Sequence, residues 1–341
     1  MSRQINFGLI GCGRIGRIHA ESLATRIPTA RLVAVADVAA SAARELAARL
    51  HVEKISTDYR ELLANSTIDA VVICSSTDTH SRIIQEAAAA GKHIFCEKPI
   101  DYDLSRIHGA LSAVDKAGVK LQIGFNRRFD PSFAKVRELV AAGAIGRPHV
   151  IRITSRDPSP PPLDYIKVSG GIFLDMTIHD FDMVRFLSGS DAEEIHAMGD
   201  ALVDPAIREA GDVDTAIVTL RLKSGALATI DNSRKAVYGY DQRVEVFGSK
   251  GSVSAGNRTP DAHVLMDQSG VHEAKPLHFF LERYAEAYVL ELQAFVEALL
   301  KDETPPVTGV DGLQPVVMGL AATRSLREGR LVKLSEIHSA A

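Results

Sequence analysis

The first third of the chain alternates short apolar runs with longer stretches whose apolar residues share one helical face. The apolar runs predict strands, at Ile5–Ile10, Leu32–Ala36, Ala70–Cys74, His93–Cys96 and Leu121–Gly124. The amphipathic stretches between them predict helices, at Ile15–Leu23, Ser41–Leu50, Ser81–Ala90 and Leu104–Lys116. Because continuous apolar strands separated by helices are buried on both faces, residues 1–125 are predicted to form an α/β domain with a parallel sheet.

The pattern changes after about Asn126. A helix is predicted at Phe133–Ala142 and a strand at His149–Thr154. The segment that follows, RDPSPPPLDYIKVSGG, is predicted to be an irregular loop, because proline removes backbone donors and disfavours helix in the residue before it. A helix over residues 173–187, FLDMTIHDFDMVRFL, comes next.

Beyond Gly211 the predicted strands follow one another along the chain, joined by short turns rather than by helices. Turns at Ser224–Gly225 and around Ser249–Gly251 predict antiparallel hairpins, so residues 126–310 are predicted to form an α+β domain. Amphipathic helices are predicted at Leu281–Leu300 and Leu313–Arg327. Residues 311–341 are expected to form a C-terminal helix and strand that pack back on the first domain.

The helix over residues 173–187 carries ionisable groups on one side. Asp175, His179 and Asp182 stand at positions i, i+4 and i+7, and therefore share a face. They are either the solvated side of an amphipathic helix or part of a catalytic or binding site. Asp180 is expected to point away from them, toward solvent.

The composition narrows the class of protein. The chain has 341 residues, 46% hydrophobic residues and a formal net charge of −4, which supplies no electrostatic reason to bind nucleic acid or an anionic membrane. No apolar stretch is long enough for a bilayer span, and no signal-peptide pattern opens the sequence. The three cysteines have no metal-ligand spacing, so we expect a cytoplasmic protein without a metal site.

A glycine-rich loop follows the first strand. It has the pattern G-x-G-x-x-G, precedes a predicted helix, and is followed by Asp37 about twenty residues after its last glycine. This is the context of a dinucleotide-binding loop. Asp37 ends the second strand, where a carboxylate accepts hydrogen bonds from a ribose diol and repels a 2′-phosphate, so NAD is favoured over NADP. The loop residues assigned to the cofactor are Gly11, Gly13, Arg14, Ile15 and Gly16.

Further candidates stand at the ends of later strands, the edge at which ligands of such sheets bind. Glu97 and Lys98 end the fourth predicted strand, and Glu97 either neutralises Lys98 or contacts the nicotinamide ribose. Ser75, Thr77 and His80 follow the third strand as cofactor candidates; His80 either meets the cofactor or packs locally.

These motifs together resemble the glucose–fructose oxidoreductase/inositol dehydrogenase/MocA family over nearly the whole chain. The resemblance rests on the glycine loop with its strand-end acid, on Glu97-Lys98-Pro99, and on a Gly-Gly-x-x-x-Asp-x-x-x-His motif ending at His179. The segments GFNRRFDPSF and 155–187 are more narrowly similar to bacterial inositol 2-dehydrogenases. The resemblance implies a Rossmann domain followed by an α+β domain whose large open, mostly antiparallel sheet packs subunits into homotetramers.

The implied activity is NAD-dependent oxidation of a ring hydroxyl of myo-inositol to the 2-keto-inositol, in inositol catabolism. Removing the hydroxyl proton needs a base, and His179 is suited to this because an imidazole titrates near neutral pH. Asp175 is expected to hold the imidazole or a neighbouring hydroxyl, and Lys98 to hydrogen-bond the reacting oxygen. Lys98, Asp175 and His179 match the catalytic residues of the family.

A polyol also needs several polar contacts. The candidates are Arg128, Asp157, Tyr165, Asp182 and Tyr238, each of which has a purely structural alternative. Scyllo-inositol, another cyclic polyol or an aldose is the alternative substrate. From a different class of protein, a non-catalytic dinucleotide-binding regulator has the same fold, although it has no need for all three catalytic residues.

Overall fold

The protein was analysed as a computed structural model that describes residues 3–338. Two compact units divide the described chain: residues 3–129 with 286–314, and residues 130–285 with 315–338. In this part of the chain no helix is both long and apolar enough to cross a bilayer.

The first unit is built on a six-stranded sheet in which all strand pairs are parallel. Its strands in chain order are β1 Ile5–Ile10, β2 Ala30–Ala36, β3 Lys54–Ser56, β4 Ala70–Ile73, β5 His93–Glu97 and β6 Leu121–Gly124. The spatial order is β3-β2-β1-β4-β5-β6, so the chain reverses direction across the sheet between β1 and β4. That reversal is where ligands bind in doubly wound sheets.

Helices connect these strands. They are α1 Arg14–Glu21, continued by a π-helical turn Ser22–Arg26, then α2 Ala40–Leu50, α3 Arg60–Leu63, α4 Thr77–Ala89 and α5 Leu104–Ala117. The strands and helices predicted from the apolar pattern are therefore present, and β3 and α3 are additional. The predicted α/β class with a parallel sheet is confirmed.

The second unit contains a seven-stranded mixed sheet and a separate hairpin. Its strands are β7 Pro148–Arg156, β8 Ala192–Asp200, β9 Thr215–Leu222, β10 Leu227–Ser233, β11 Asp241–Gly248, β12 Gly251–Ala255 and β15 Val332–Lys333, with β13 Val264–Asp267 and β14 Gly270–Glu273 in the hairpin. The order in the sheet is β12-β11-β7-β10-β9-β8-β15, and only the β7–β10 pair is parallel. This agrees with the expected large, mostly antiparallel sheet.

The helices of the second unit are mostly short. They are α6 Pro131–Ala141, α7 Leu163–Ile166, α8 Ile172–Asp175, α9 Thr177–Ser188, α10 Pro205–Glu209, α11 Phe280–Arg283 and α14 Ser335–His338. Helix α9 packs on β7 and β10. The proline-rich loop contains α7, so it is not irregular throughout.

The helix predicted over residues 173–187 is interrupted. Helix α8 ends at Asp175 and α9 begins at Thr177, with Met176 between them. The Thr177 hydroxyl lies 2.6 Å from Asn232 Oδ1 and 3.2 Å from the Ile172 carbonyl oxygen, and side-chain bonds of this kind compete with regular helical pairing.

The predicted boundaries of 126–310 and 311–341 differ from the observed division. Helix α12, Ala285–Lys301, places Phe295 beside Phe7 and Phe95 in the apolar core of the first unit. Helix α13, Gly309–Glu328, contributes residues to both units. Strand β15 pairs with β8, so the C-terminal segment joins the second unit rather than the first; residues 339–341 lie outside the described residues.

Candidate active site

The glycine-rich loop connects β1 to α1 and needs glycine for two steric reasons. Gly11 has φ +96°, and a Cβ there would lie 2.5 Å from the Cys74 carbonyl carbon. A Cβ on Gly16 would lie 1.9 Å from the Gly11 carbonyl oxygen. Larger residues at either position would push the loop away from β4 or open the start of the helix.

Gly13 differs from these two glycines because its environment is open. A Cβ on Gly13 would meet no atom within 4 Å. Gly13 is the N-cap of α1, and the backbone amides of Arg14 and Ile15 follow it in the first turn. An uncovered backbone at the start of a helix fits a pyrophosphate, which is bound by backbone N–H groups and by the helix dipole.

Asp37 lies half-buried at the end of β2, next to this loop. Its carboxylate accepts the Cys12 N–H (2.6 Å) and the Ala39 N–H (2.8 Å), which fixes its orientation. Burial, and secondarily the Asp37 charge, raise the pKa of the Cys12 thiol to about 12, so Cys12 stays a neutral side chain. The arrangement fits the ribose-binding role predicted for Asp37.

Two of the three cofactor candidates after β4, Ser75 and His80, lie within hydrogen-bond distance of local groups. The Ser75 and Thr79 hydroxyls are 2.7 Å apart, and Thr77 begins α4. His80 is buried, with Nδ1 2.8 Å from the Pro99 carbonyl oxygen and Nε2 2.9 Å from that of Ser75. Of the two alternatives for His80, the structure supports local packing, since the ring lies between the loop after β4 and the loop after β5 with one nitrogen near a carbonyl oxygen of each.

Glu97 and Lys98 stand at the carboxyl end of β5, and both are half-buried. The Glu97 carboxylate accepts a hydrogen bond from the Lys98 backbone N–H (3.3 Å) and lies 2.7 Å from His19 Nε2. Sequence reasoning missed His19. The only signal for it in the sequence is its position, three residues after the last glycine of the loop. The structure places it on the buried side of α1.

Asp175 is held by two side chains within the second unit. Its Oδ1 accepts the Tyr165 hydroxyl (2.8 Å), and its Oδ2 accepts a hydrogen bond from Arg234 Nη1 (3.1 Å). Arg234 Nη2 lies 3.6 Å from Asp212 Oδ2, while Asp212 Oδ1 accepts the Ile172 N–H at the start of α8. The Arg234 side chain is 1% exposed, so a buried guanidinium sits between two carboxylates.

Sequence reasoning also missed Arg234 and Asp212. Arg234 follows β10, and Asp212 precedes β9, so neither belongs to the helix that carries Asp175. Nothing in their local sequence distinguishes them from surface charges. Only the pairing of β9 with β10, in which Thr215 lies opposite Ser233, brings the two loops together.

The ionisable residues of α9 are not a solvated stripe. His179 is half-buried, but Asp182 is buried, and so is Asp180. The expectation that Asp180 points to solvent is wrong: its Oδ2 accepts a hydrogen bond from Asn232 Nδ2 (2.8 Å) on β10. The sheet covers the side of α9 that carries Asp180, so this residue marks a buried hydrogen bond rather than the surface.

The remaining substrate candidates have defined partners. In the first unit, Arg128 Nη2 donates to Asp311 Oδ1 (2.9 Å). In the second unit, the Tyr238 hydroxyl donates to Asp241 (2.6 Å), and burial followed by this bond raises the pKa of the phenol, which stays neutral. Asp157 bonds through its backbone, accepting the Ala236 N–H (2.6 Å).

Both domains match known families. Residues 5–125 match the model of an oxidoreductase family with an NAD-binding Rossmann fold, and residues 133–254 match the GFO/IDH/MocA C-terminal domain. The first unit is therefore an NAD-binding Rossmann domain, and the prediction of NAD as cofactor is confirmed.

Individual relatives are similar over almost their whole length. A myo-inositol 2-dehydrogenase of Thermotoga maritima is 53% identical, with 98% of this chain and 99% of the relative covered. The crystal structure of a probable dehydrogenase from Thermotoga maritima superposes with a TM-score of 0.96 at 53% identity, covering 98% of this chain and 100% of the other. The structure of scyllo-inositol dehydrogenase from Lactobacillus casei with bound NAD(H) and scyllo-inositol has a TM-score of 0.92 at 32% identity, again covering 98% and 100%.

Proposed function

The chain belongs to the GFO/IDH/MocA oxidoreductase family, and from that premise we propose that it oxidises a ring hydroxyl of myo-inositol to the 2-keto-inositol with NAD. The observation that carries the proposal is the 53% identity, over 98% of this chain, to a myo-inositol 2-dehydrogenase. The open backbone at Gly13 and the oriented Asp37 support NAD as the partner of the reaction.

The cofactor, when bound, supplies a nicotinamide ring that accepts a hydride. The residues of the first unit bind and orient it: the loop from Gly11 to Gly16 offers backbone N–H groups to the pyrophosphate, and Asp37 accepts hydrogen bonds from a ribose diol. Glu97 and Lys98 complete this edge of the sheet at the end of β5.

The proposed catalytic residues are Lys98, Asp175 and His179. His179 takes the proton of the hydroxyl, and its half-buried position leaves the imidazole open to substrate. Lys98 donates a hydrogen bond to the same oxygen as negative charge develops on it. Asp175, held by Tyr165 and Arg234, supplies a carboxylate of fixed orientation to a substrate hydroxyl or to the imidazole.

Polar side chains are proposed to bind the other hydroxyls of the ring. We assign Arg128, Asp157, Tyr165 and Tyr238 to this role, since each offers a donor or acceptor to a polyol. Asp182 is 1% exposed and is assigned to packing instead.

Scyllo-inositol is the second candidate substrate. It is favoured by the fold match with scyllo-inositol dehydrogenase from Lactobacillus casei, although at 32% identity that relative is more distant. The two isomers differ in the orientation of one hydroxyl, so a change in one hydrogen-bonding side chain is enough to shift preference between them.

A homotetramer in the cytoplasm is the proposed state of the enzyme. Strand pairing places Met198, Ile217, Leu227 and Phe247 on one face of the large sheet, and all four are exposed. An apolar sheet face of this kind is typical of a surface covered by another subunit. The three cysteines are unpaired, as expected in a reducing compartment.

The experiment that tests the proposed function measures NADH formation with myo-, scyllo- and chiro-inositol, glucose and xylose. We expect turnover on myo-inositol and a loss of about 10²–10⁴-fold in kcat for His179→Ala, the usual contribution of a positioned base. His108→Ala, at an exposed histidine of α5, is the control and is expected to retain activity. Turnover confined to scyllo-inositol would select the second candidate, and NAD binding without turnover on any polyol would indicate a regulator.

A further inference from the structure

The first unit contains a buried cluster of three titratable side chains. His19 comes from α1, Glu97 from the end of β5 and Glu291 from α12, and one nitrogen or oxygen atom of each lies within 4.8 Å of the other two. The side chains of His19 and Glu291 are 0% exposed and that of Glu97 is 12% exposed. We call these three residues the buried acid cluster.

His19 has one hydrogen-bond partner in this cluster. Its Nε2 lies 2.7 Å from Glu97 Oε1, whereas its buried Nδ1 has no hydrogen-bond partner. A proton on Nδ1 would be a buried donor without an acceptor, which is costly. The hydrogen bond between Nε2 and Glu97 is therefore assigned to a proton on Nε2.

Glu97 has the surroundings of an ionised carboxylate. It accepts hydrogen bonds from the His19 ring and from the Lys98 backbone N–H, and it retains some exposure to solvent. A Cβ on Gly124 would lie 3.0 Å from the Glu97 carboxyl carbon, so a glycine in β6 leaves the space that this carboxylate occupies.

Glu291 has no such surroundings. Neither of its carboxylate oxygens has a hydrogen-bond partner, and the nearest basic atom is His19 Nε2 at 4.0 Å, whose proton is directed to Glu97. Within residues 3–338 no lysine or arginine forms an ion pair with it. Burial, and then the Glu97 charge, raise the pKa of Glu291 well above its usual range.

The other groups that face this cluster carry no compensating charge. Cys74 at the end of β4 and Cys96 in β5 are thiols whose pKa is raised well above the usual value by burial and by neighbouring Glu97. Tyr288, one turn before Glu291, packs edge-on against the His19 ring. The cluster therefore accommodates one negative charge, and the geometry assigns that charge to Glu97.

We propose that Glu291 is a neutral carboxylic acid, and that His19 positions the ionised Glu97 and through it the Lys98 backbone. His19 is a positioning residue, because it acts through Glu97. The part of this inference that concerns Lys98 rests on the proposed function, whereas the protonation of Glu291 does not.

Infrared difference spectroscopy tests the protonation directly. We expect the wild-type protein at neutral pH to show the carbonyl band of a protonated carboxylic acid, and Glu291→Gln to lack it. Glu297→Gln, at an exposed glutamate of the same helix, is the matched control and is expected to keep the band. A band that is missing in the wild type, or unchanged in Glu291→Gln, would overturn the proposal.

Cofactor binding and turnover test the positioning role. Glu291→Gln preserves shape and neutrality, so we expect the dissociation constant for NAD and kcat to stay within about threefold of wild type. His19→Ala removes the donor to Glu97, and we expect NAD to bind about tenfold more weakly, the effect of losing one hydrogen bond to a charged group. Normal NAD binding in His19→Ala would reject the positioning role.

These measurements separate the inference from the proposed function. The infrared band and NAD binding are measured without any polyol, so an enzyme inactive on inositol still gives a readable result. A divalent metal found by elemental analysis in the wild type and absent from Glu291→Gln would instead show that the cluster is a metal site, and would overturn the assignment of a neutral acid.

Discussion

The two units compensate buried carboxylates in different ways. In the second unit, Asp175 and Asp212 lie on either side of Arg234, a guanidinium that stays charged at any pH a protein experiences. In the buried acid cluster of the first unit, no described arginine or lysine forms an ion pair with Glu97 or Glu291. There a proton on Glu291 removes the second negative charge instead. A guanidinium keeps its charge at all working pH values, whereas a proton leaves as the pH rises, so of these two clusters we expect the buried acid cluster to depend on pH.

Removing the guanidinium is the change with the largest expected effect. Arg234→Met leaves the half-buried carboxylates of Asp175 and Asp212 without a counter-charge, and breaking such a pair costs up to about 3–5 kcal/mol of unfolding free energy. Urea unfolding measures this loss. Arg234→Lys keeps the charge and is expected to lose less; a methionine variant as stable as wild type would show that the two carboxylates are compensated in another way.

The second-largest expected effect is on the pH dependence of stability. Here the substitution, Glu291→Gln, is expected to stabilise the protein, whereas Arg234→Met destabilises it. The pKa of Glu291 is raised in the folded protein from an ordinary value of 4.5, so its contribution to stability is full below that value and declines as pH rises toward the folded pKa. Glu291→Gln does not titrate. We therefore expect the variant to match wild type in acid and to become more stable than wild type with rising pH, by at most about 1.4 kcal/mol per pH unit.

Unfolding midpoints of Glu291→Gln and wild type, measured side by side from pH 4 upward, check this sign. Arg234→Lys is the matched variant for the other cluster, and its difference from wild type is expected to stay constant over the same range. A Glu291→Gln protein that is less stable than wild type at neutral pH would mean that Glu291 is ionised in the folded state.

The smallest expected effect concerns the second partner of Asp175. Tyr165→Phe removes the hydroxyl that donates to Asp175 Oδ1, while Arg234 continues to hold Oδ2. A single hydrogen bond contributes about 0.5–1.5 kcal/mol, which corresponds to a loss of up to about tenfold in kcat/KM. Steady-state kinetics with myo-inositol measure it, and a fall in kcat without any change in KM would contradict a substrate-binding role for Tyr165.

Much of the first unit was predictable because its strands are continuous apolar runs. Strands β1 and β6 occur at the predicted residues, and the glycine loop and Asp37 lie together as their spacing indicates. Strand β3 was not predictable from the pattern, since it has only three residues and two of them are exposed. The helix predicted at Leu281–Leu300 occurs as two helices, α11 and α12. An amphipathic pattern shows only that one face is covered, and not which sheet covers it.

The polar interior was the part that sequence reasoning could not supply. Asp180 was expected in solvent because it is charged, yet it is buried against Asn232. Arg234 is distant in sequence from Asp175 and Asp212, and Glu291 from His19 and Glu97, so each cluster depends on the tertiary fold. Periodicity identifies apolar faces, but a buried ion pair has the same local sequence as a charged surface.

The single charge at the end of β5 has a consequence for the balance between the two forms of the coenzyme. The ring of oxidised nicotinamide is cationic and that of the reduced form is neutral, so a fixed carboxylate at the ligand-binding edge of the sheet attracts the first more than the second. We therefore expect Glu97, as the one anion of the buried acid cluster, to favour binding of the oxidised coenzyme over the reduced one.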